Sequence, residues 1–92
     1  QRSFNPKKME KLFPGLWQVS YRDEYEDGIF KEKWRLKLSN AKKNRFIVER
    51  ELEDGSFVHI HRRNELSWNK LTNNWSMYTS MSVIHVVEFC EA

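Results

Sequence analysis

The sequence predicts an all-β fold: an antiparallel meander of six to seven strands forming a small barrel or half-barrel, with a short helix at the N-terminus. Three observations carry that prediction. From Trp17 onward, apolar and polar residues alternate with a period of two, the pattern of strands with one buried face. Two hairpin signals share the same wording, Glu26-Asp27-Gly28 and Glu53-Asp54-Gly55, and Asp-Gly favours a two-residue turn because both central positions tolerate positive φ. Both prolines, Pro6 and Pro14, lie in the first fifteen residues, so none interrupts a ladder further on.

The chain of 92 residues has room for a single domain, 1–92. Leu, Ile, Val and Phe make up about a quarter of it, enough apolar surface to fold a chain that is 32% charged. Asn5 to Phe13 reads as the short helix: Asn5 caps it, Pro6 suits its first position, Met9, Leu12 and Phe13 share one face, and Pro14-Gly15 ends it. Two turns of helix are marginal alone, so this segment is expected to cap the open end of the barrel.

The β-meander follows over 15–90. Trp17, Val19 and Tyr21 form the apolar face of a first strand, Trp34, Leu36 and Leu38 of a second, and Phe46, Val48 and Leu52 of a third. The polar stretch Ser39 to Asn44 joins the second to the third. Leu71 to Asn74 turns the strand over 66–70 into one beginning at Trp75, and the last strand is expected over Val83 to Phe89.

Hairpin registers follow from the turns. A two-residue turn at Asp27-Gly28 sets Tyr21 opposite Trp34, Val19 opposite Leu36 and Trp17 opposite Leu38. Between the second and third strands, Leu38 opposite Phe46 puts Arg35 against Glu49, Lys33 against Glu51 and Lys31 against Glu53 on the outer face. Three opposite-charge pairs agree on that register, each worth a few tenths to ~1 kcal/mol. A two-residue turn at Asp54-Gly55 then pairs Arg50 with His59 and Val48 with His61, on the inner face. A slip of one residue there would turn both histidines outward and Val58 and Ile60 inward.

The first of these registers at the Asp54-Gly55 turn places Glu32, Arg50, His59 and His61 on the same face as Tyr21, Trp34 and Phe57. Buried charge is costly unless paired or serving a ligand, which leaves two readings: Glu32 and Arg50 simply pair at a water-filled mouth, or the face is a ligand pocket. In the second, Tyr21, Trp34 and Phe57 form apolar walls while Glu32, Arg50, His59 and His61 hold an acidic or polar head.

Other chemistries find less support. His59-x-His61 has a spacing that metal sites use, but nothing fixes a third ligand, so no metal is expected. No glycine-rich phosphate loop and no nucleophile triad are legible, and the single cysteine, Cys90, has no base near it in sequence; no cofactor and no catalytic set are expected. No apolar run approaches the ~20 residues of a membrane-spanning helix, and the N-terminal residues lack the apolar block of a signal peptide. A net charge of +3 raises the question of a polyanion partner, but the basic stripe Lys31, Lys33, Arg35 and Lys37 faces an acidic strand that would repel phosphate.

Gly15-Leu16-Trp17, a glycine-x-tryptophan entering the first long strand after a short helical turn, resembles the entry of lipocalin-like (calycin) β-barrels. The resemblance implies that Trp17 closes the base of the barrel and that the interior binds small apolar or acidic molecules. Barrels of that family have eight or more strands, so this shorter chain would need a small or open barrel, or a dimer, to complete the core. The function expected is therefore non-enzymatic binding of a small amphipathic or acidic ligand in the barrel. The alternative is a nucleic-acid- or protein-binding module using the basic surface and exposed strand edges, the latter also serving a homo-oligomer.

Overall fold

The computed structural model describes residues 3–4, 13–39, 45–60 and 65–92. Eight strands make one antiparallel sheet: β1 (Ser3–Phe4), β2 (Gly15–Asp23), β3 (Glu26–Leu38), β4 (Arg45–Glu51), β5 (Phe57–His59), β6 (Leu66–Asn69), β7 (Asn74–Tyr78) and β8 (Val83–Glu91). Six of them close a barrel, running β8-β2-β3-β4-β6-β7 and back to β8. The two short strands continue edges that the barrel leaves: β5 and then β6 lie along one side of β4, and β1 extends the side of β8 that β7 occupies further back. None of the described residues is helical, and the helix expected over 5–13 falls, apart from Phe13, outside them.

The alternation of the sequence becomes the inside and outside of this barrel. Trp17, Val19 and Tyr21 from β2, Trp34 and Leu36 from β3, and Phe46 and Val48 from β4 are buried together with Leu66, Trp75, Met77, Ile84, Val86 and Phe89. A six-stranded barrel is narrower than the eight-stranded kind whose side chains already fill the interior, and here large rings occupy the axis. Phe46 and Trp68 both meet Trp75 edge-on, at 5.8 and 6.0 Å, and Trp17 meets Phe89 edge-on at 6.0 Å. The Trp17 indole also donates to the Phe13 carbonyl at 3.0 Å, tying the segment before β2 to the core. Each large apolar side chain buried this way contributes roughly 1.5–3 kcal/mol, so the rings dominate the cohesion of a small domain.

The three registers come out differently. Between β3 and β4, Trp34 pairs with Arg50, Arg35 with Glu49, Leu36 with Val48 and Leu38 with Phe46, as the charge pattern predicts. Between β2 and β3, Trp17 pairs with Trp34, Val19 with Glu32 and Tyr21 with Phe30, four residues from the expected register. The turn is made by Glu24 and Tyr25, closed by Asp23 Oδ1 accepting the Tyr25 amide at 2.8 Å. Gly28 sits instead inside β3 with φ 100°, where the ladder is irregular. An even shift keeps each side chain on its face, so Trp17, Val19, Tyr21, Trp34 and Leu36 stay inside, while Leu38, at the end of β3, is exposed.

Between β4 and β5 the slip is one residue: Arg50 pairs with Val58, Glu49 with His59 and Glu51 with Phe57. The cause is a three-residue loop, Glu53-Asp54-Gly55, in which Gly55 takes φ 85° and the Leu52 amide donates to Ser56 O at 2.7 Å. Asp54 Oδ1 accepts from the Ser56 amide at 2.9 Å and the Ser56 hydroxyl at 2.6 Å, which holds the Asp54 carboxyl below the usual range. An odd slip exchanges faces. Ile60 accordingly packs against the core, while Phe57 and His59 share the outer side with Arg35, Glu49 and Glu51.

Candidate functional site

The site is built where β4 parts from β3. Glu32 lies on the inner face of β3, two residues before Trp34, and reaches three partners. The Trp34 indole Nε1–H donates to Glu32 Oε1 at 2.9 Å, and the Tyr21 hydroxyl donates to Oε2 at 2.9 Å. Arg50 Nη1, on the neighbouring strand, stands 3.7 Å from the same Oε2. One carboxylate thus terminates the polar ends of two buried rings and neutralises a guanidinium. Phe30 completes the wall, stacked on Tyr21 at 5.5 Å, while Trp34 lies tilted against the same ring at 5.5 Å.

The electrostatics follow from burial. Tyr21 is buried and its hydroxyl faces a carboxylate, so its phenol is pushed well above the ordinary value of 10.0. Desolvation is the main cause, followed by the hydrogen bond to Glu32 and its charge, with Arg50 opposing them. Tyr21 therefore stays a neutral donor throughout the physiological range. The Arg50 side chain is 44% exposed against 22% for Glu32, so one side of the guanidinium faces water while its partner is sheltered.

Four of the seven residues read from the sequence as site residues, Tyr21, Glu32, Trp34 and Arg50, meet in this cluster. Two do not. Phe57 lies on the outer face, where the Arg35 guanidinium covers its ring at 4.4 Å, and His59 pairs with Glu49 on that same side. His61 lies outside the described residues. Phe30 was not legible as a member because the expected turn at Asp27-Gly28 sets it opposite Tyr25, whereas it pairs with Tyr21. The alternation of Val58 and Ile60 with His59 is the signal that favours the observed face of β5.

The outer face of β3 carries a separate network. Arg35 Nε lies 2.7 Å and Lys37 Nζ 3.2 Å from Glu49 Oε1, and Lys33 Nζ lies 3.7 Å from Glu51 Oε2. The hydrogen bond from Arg35, supported by Lys37, holds the Glu49 carboxyl below the usual carboxylate range, although its partial desolvation opposes them. On β8, His85 Nε2 lies 2.8 Å from Glu24 Oε1 and joins the last strand to the β2–β3 turn. Among the described residues no group of three or more His, Cys, Asp or Glu is placed to hold a metal ion, and no helix is long and apolar enough to cross a membrane. The Cys90 thiol donates to Glu88 Oε1 at 3.0 Å.

No family model, no curated protein and no solved structure matches this chain. A closed antiparallel β-barrel is what the fold defines, and nothing beyond the barrel ties the chain to the lipocalin-like family in particular.

Proposed function

We propose that the protein is a non-enzymatic binder of a small amphipathic molecule with an acidic head, taken up beside Glu32 and Arg50 where β4 leaves β3. The barrel axis is filled with rings, which moves the reading from the centre of the barrel to this margin. The observation that carries it is Arg50: a half-exposed side chain on the inner-face register, 3.7 Å from the Glu32 carboxylate, which also accepts from the Tyr21 hydroxyl, whose ring stacks on Phe30. Guanidinium presents a planar fork of donors suited to a carboxylate, and the aromatic wall suits an apolar body. Glu32 sets the orientation by engaging only one side of that fork.

The alternative of phosphate binding along β3 has weaker support, because Lys33, Arg35 and Lys37 are each engaged by Glu49 or Glu51. Dodecanoate is a suitable probe, followed by calorimetry and tryptophan emission, with dodecanol as the control lacking the charge. Saturable binding of dodecanoate, weakened roughly tenfold or more in Arg50→Ala and to a smaller extent in Arg50→Lys, which keeps the charge but not the fork, is expected. Absence of binding, or equal binding by wild type and Arg50→Ala, overturns the reading.

A further inference from the structure

The β2–β3 turn and the β7–β8 turn are remote in sequence and adjacent in space, joined by the Glu24 amide donating to the Val83 carbonyl at 3.0 Å. Between them lies an open cleft of about 440 Å³ lined by Tyr25, Tyr78, Met81 and the backbone-rich segment Thr79 to Val83. Its large side chains face solvent: Tyr25 is 72% exposed, Tyr78 63% and Met81 88%. Both rims are held in place. Asp23 Oδ1 fixes the Tyr25 amide at 2.8 Å, and Thr79 Oγ1 accepts the Ser82 amide at 2.9 Å.

The charge beside this cleft opposes that of the whole chain. Asp23, Glu24, Glu26 and Asp27 crowd the β2–β3 tip of a protein whose net charge is +3, in an adjoining cleft that they share with Arg22 and His85, while no charged side chain lines the cleft between Tyr25 and Tyr78 itself. Asp23 is turned to its own loop and Glu24 to His85, which leaves Glu26 and Asp27 without an ion pair among the described residues. We propose that this cleft docks an extended segment of a partner protein bearing lysine or arginine side chains. A cation from the segment lies over the ring of Tyr25 or Tyr78, its aliphatic stem rests on Met81, and Glu26 and Asp27 meet the next positive charge along. Tyrosine faces attract cations by their ring quadrupole, and carboxylates near the same cleft raise the local concentration of a basic segment.

Backbone amide shifts of the ¹⁵N-labelled full chain, titrated with an acetylated and amidated eight-residue peptide of alternating lysine and alanine, test the proposal. Shifts confined to residues 23–28 and 78–83 are expected, with affinity falling steeply from low to moderate salt. Tyr25→Ala and Tyr78→Ala remove exposed rings and so leave the fold intact; each is expected to weaken binding roughly two- to fivefold. The Glu26→Gln, Asp27→Asn double variant is expected to weaken it further and flatten the salt dependence. A peptide of alternating glutamate and alanine is expected to produce no shifts. No response at millimolar lysine peptide, an equal response to the glutamate peptide, or binding untouched by both tyrosine variants overturns the proposal. The proposal is independent of Arg50, whose substitution leaves this titration unchanged.

Discussion

Strand β3 carries two arginine–carboxylate contacts on opposite faces, and they work in opposite ways. Outside, Arg35 Nε meets Glu49 at 2.7 Å; inside, Arg50 Nη1 meets Glu32 at a looser 3.7 Å. Distance alone would rank the outer pair as the stronger. The inner carboxylate nevertheless matters more, because the Trp34 and Tyr21 donors end on it and Trp34 is fully buried. Removing Arg35 leaves Glu49 with Lys37, whereas removing Glu32 takes away the acceptor on which both the Trp34 and the Tyr21 donors end. The worth of a charged group here depends on which partners it would strand, more than on how close its ion pair is.

The largest effect that follows is at Glu32. Glu32→Ala leaves the Trp34 N–H and the Tyr21 O–H without their acceptor and is expected to cost about 2–4 kcal/mol in urea unfolding. Glu32→Gln keeps the shape and one carbonyl acceptor, so about half of that loss is expected. If Glu32→Ala proves no more costly than Arg35→Ala, the contrast between the two faces fails.

A smaller effect separates the hydroxyl from the ring. Tyr21→Phe keeps the contacts to Phe30 and Trp34 and removes one donor, at an expected cost of about 1 kcal/mol near neutral pH. The folded-state phenol titrates above its unfolded value of 10.0, so the proton is held more tightly in the folded chain. That contribution is fully present below about pH 10 and is lost as pH rises toward the folded value. The stability gap between wild type and Tyr21→Phe should therefore hold up to about pH 10 and narrow as pH rises above it. A constant gap would mean that the hydroxyl is not sheltered at Glu32.

How far the sequence reaches depends on parity and on turn chemistry. The β3–β4 register was legible because Arg35 with Glu49 and Lys33 with Glu51 specify it from the outer face while Leu36 with Val48 specifies it from the inner one. The two Glu-Asp-Gly segments look alike and behave differently. One becomes a three-residue loop through Gly55 and the Asp54–Ser56 hydrogen bonds; the other lies within β3, and the unmarked pair Glu24-Tyr25 makes the turn. The four-residue error at β2–β3 is even, so Tyr21, Glu32 and Trp34 were still placed on one face. The one-residue error at β5 is odd, and it carried Phe57 and His59 to the wrong side. The cleft between Tyr25 and Tyr78 was not legible at all, since the pairing of β2 with β8 and the contact from Glu24 to Val83, both remote in sequence, bring the two turns together.

The smallest expected effect belongs to the outer network. Glu49→Gln removes the shared partner of Arg35 and Lys37, yet those groups stay hydrated, so a loss of a few tenths to about 1 kcal/mol is expected. Hydrogen bonding to Arg35 lowers the folded-state pKa of Glu49 below the ordinary value of 4.5, so its contribution is fully present above that pH. It is lost as pH falls through the folded value, and the gap between wild type and Glu49→Gln should close in that acid range. Added salt should shrink the same gap at neutral pH, because what Glu49→Gln removes is ion pairing, which salt screens, while the larger gap at Glu32 should hardly move, because buried donors without an acceptor are not relieved by ions. Salt-insensitive loss at Glu49, or salt-sensitive loss at Glu32, would reverse the assignment of the two faces.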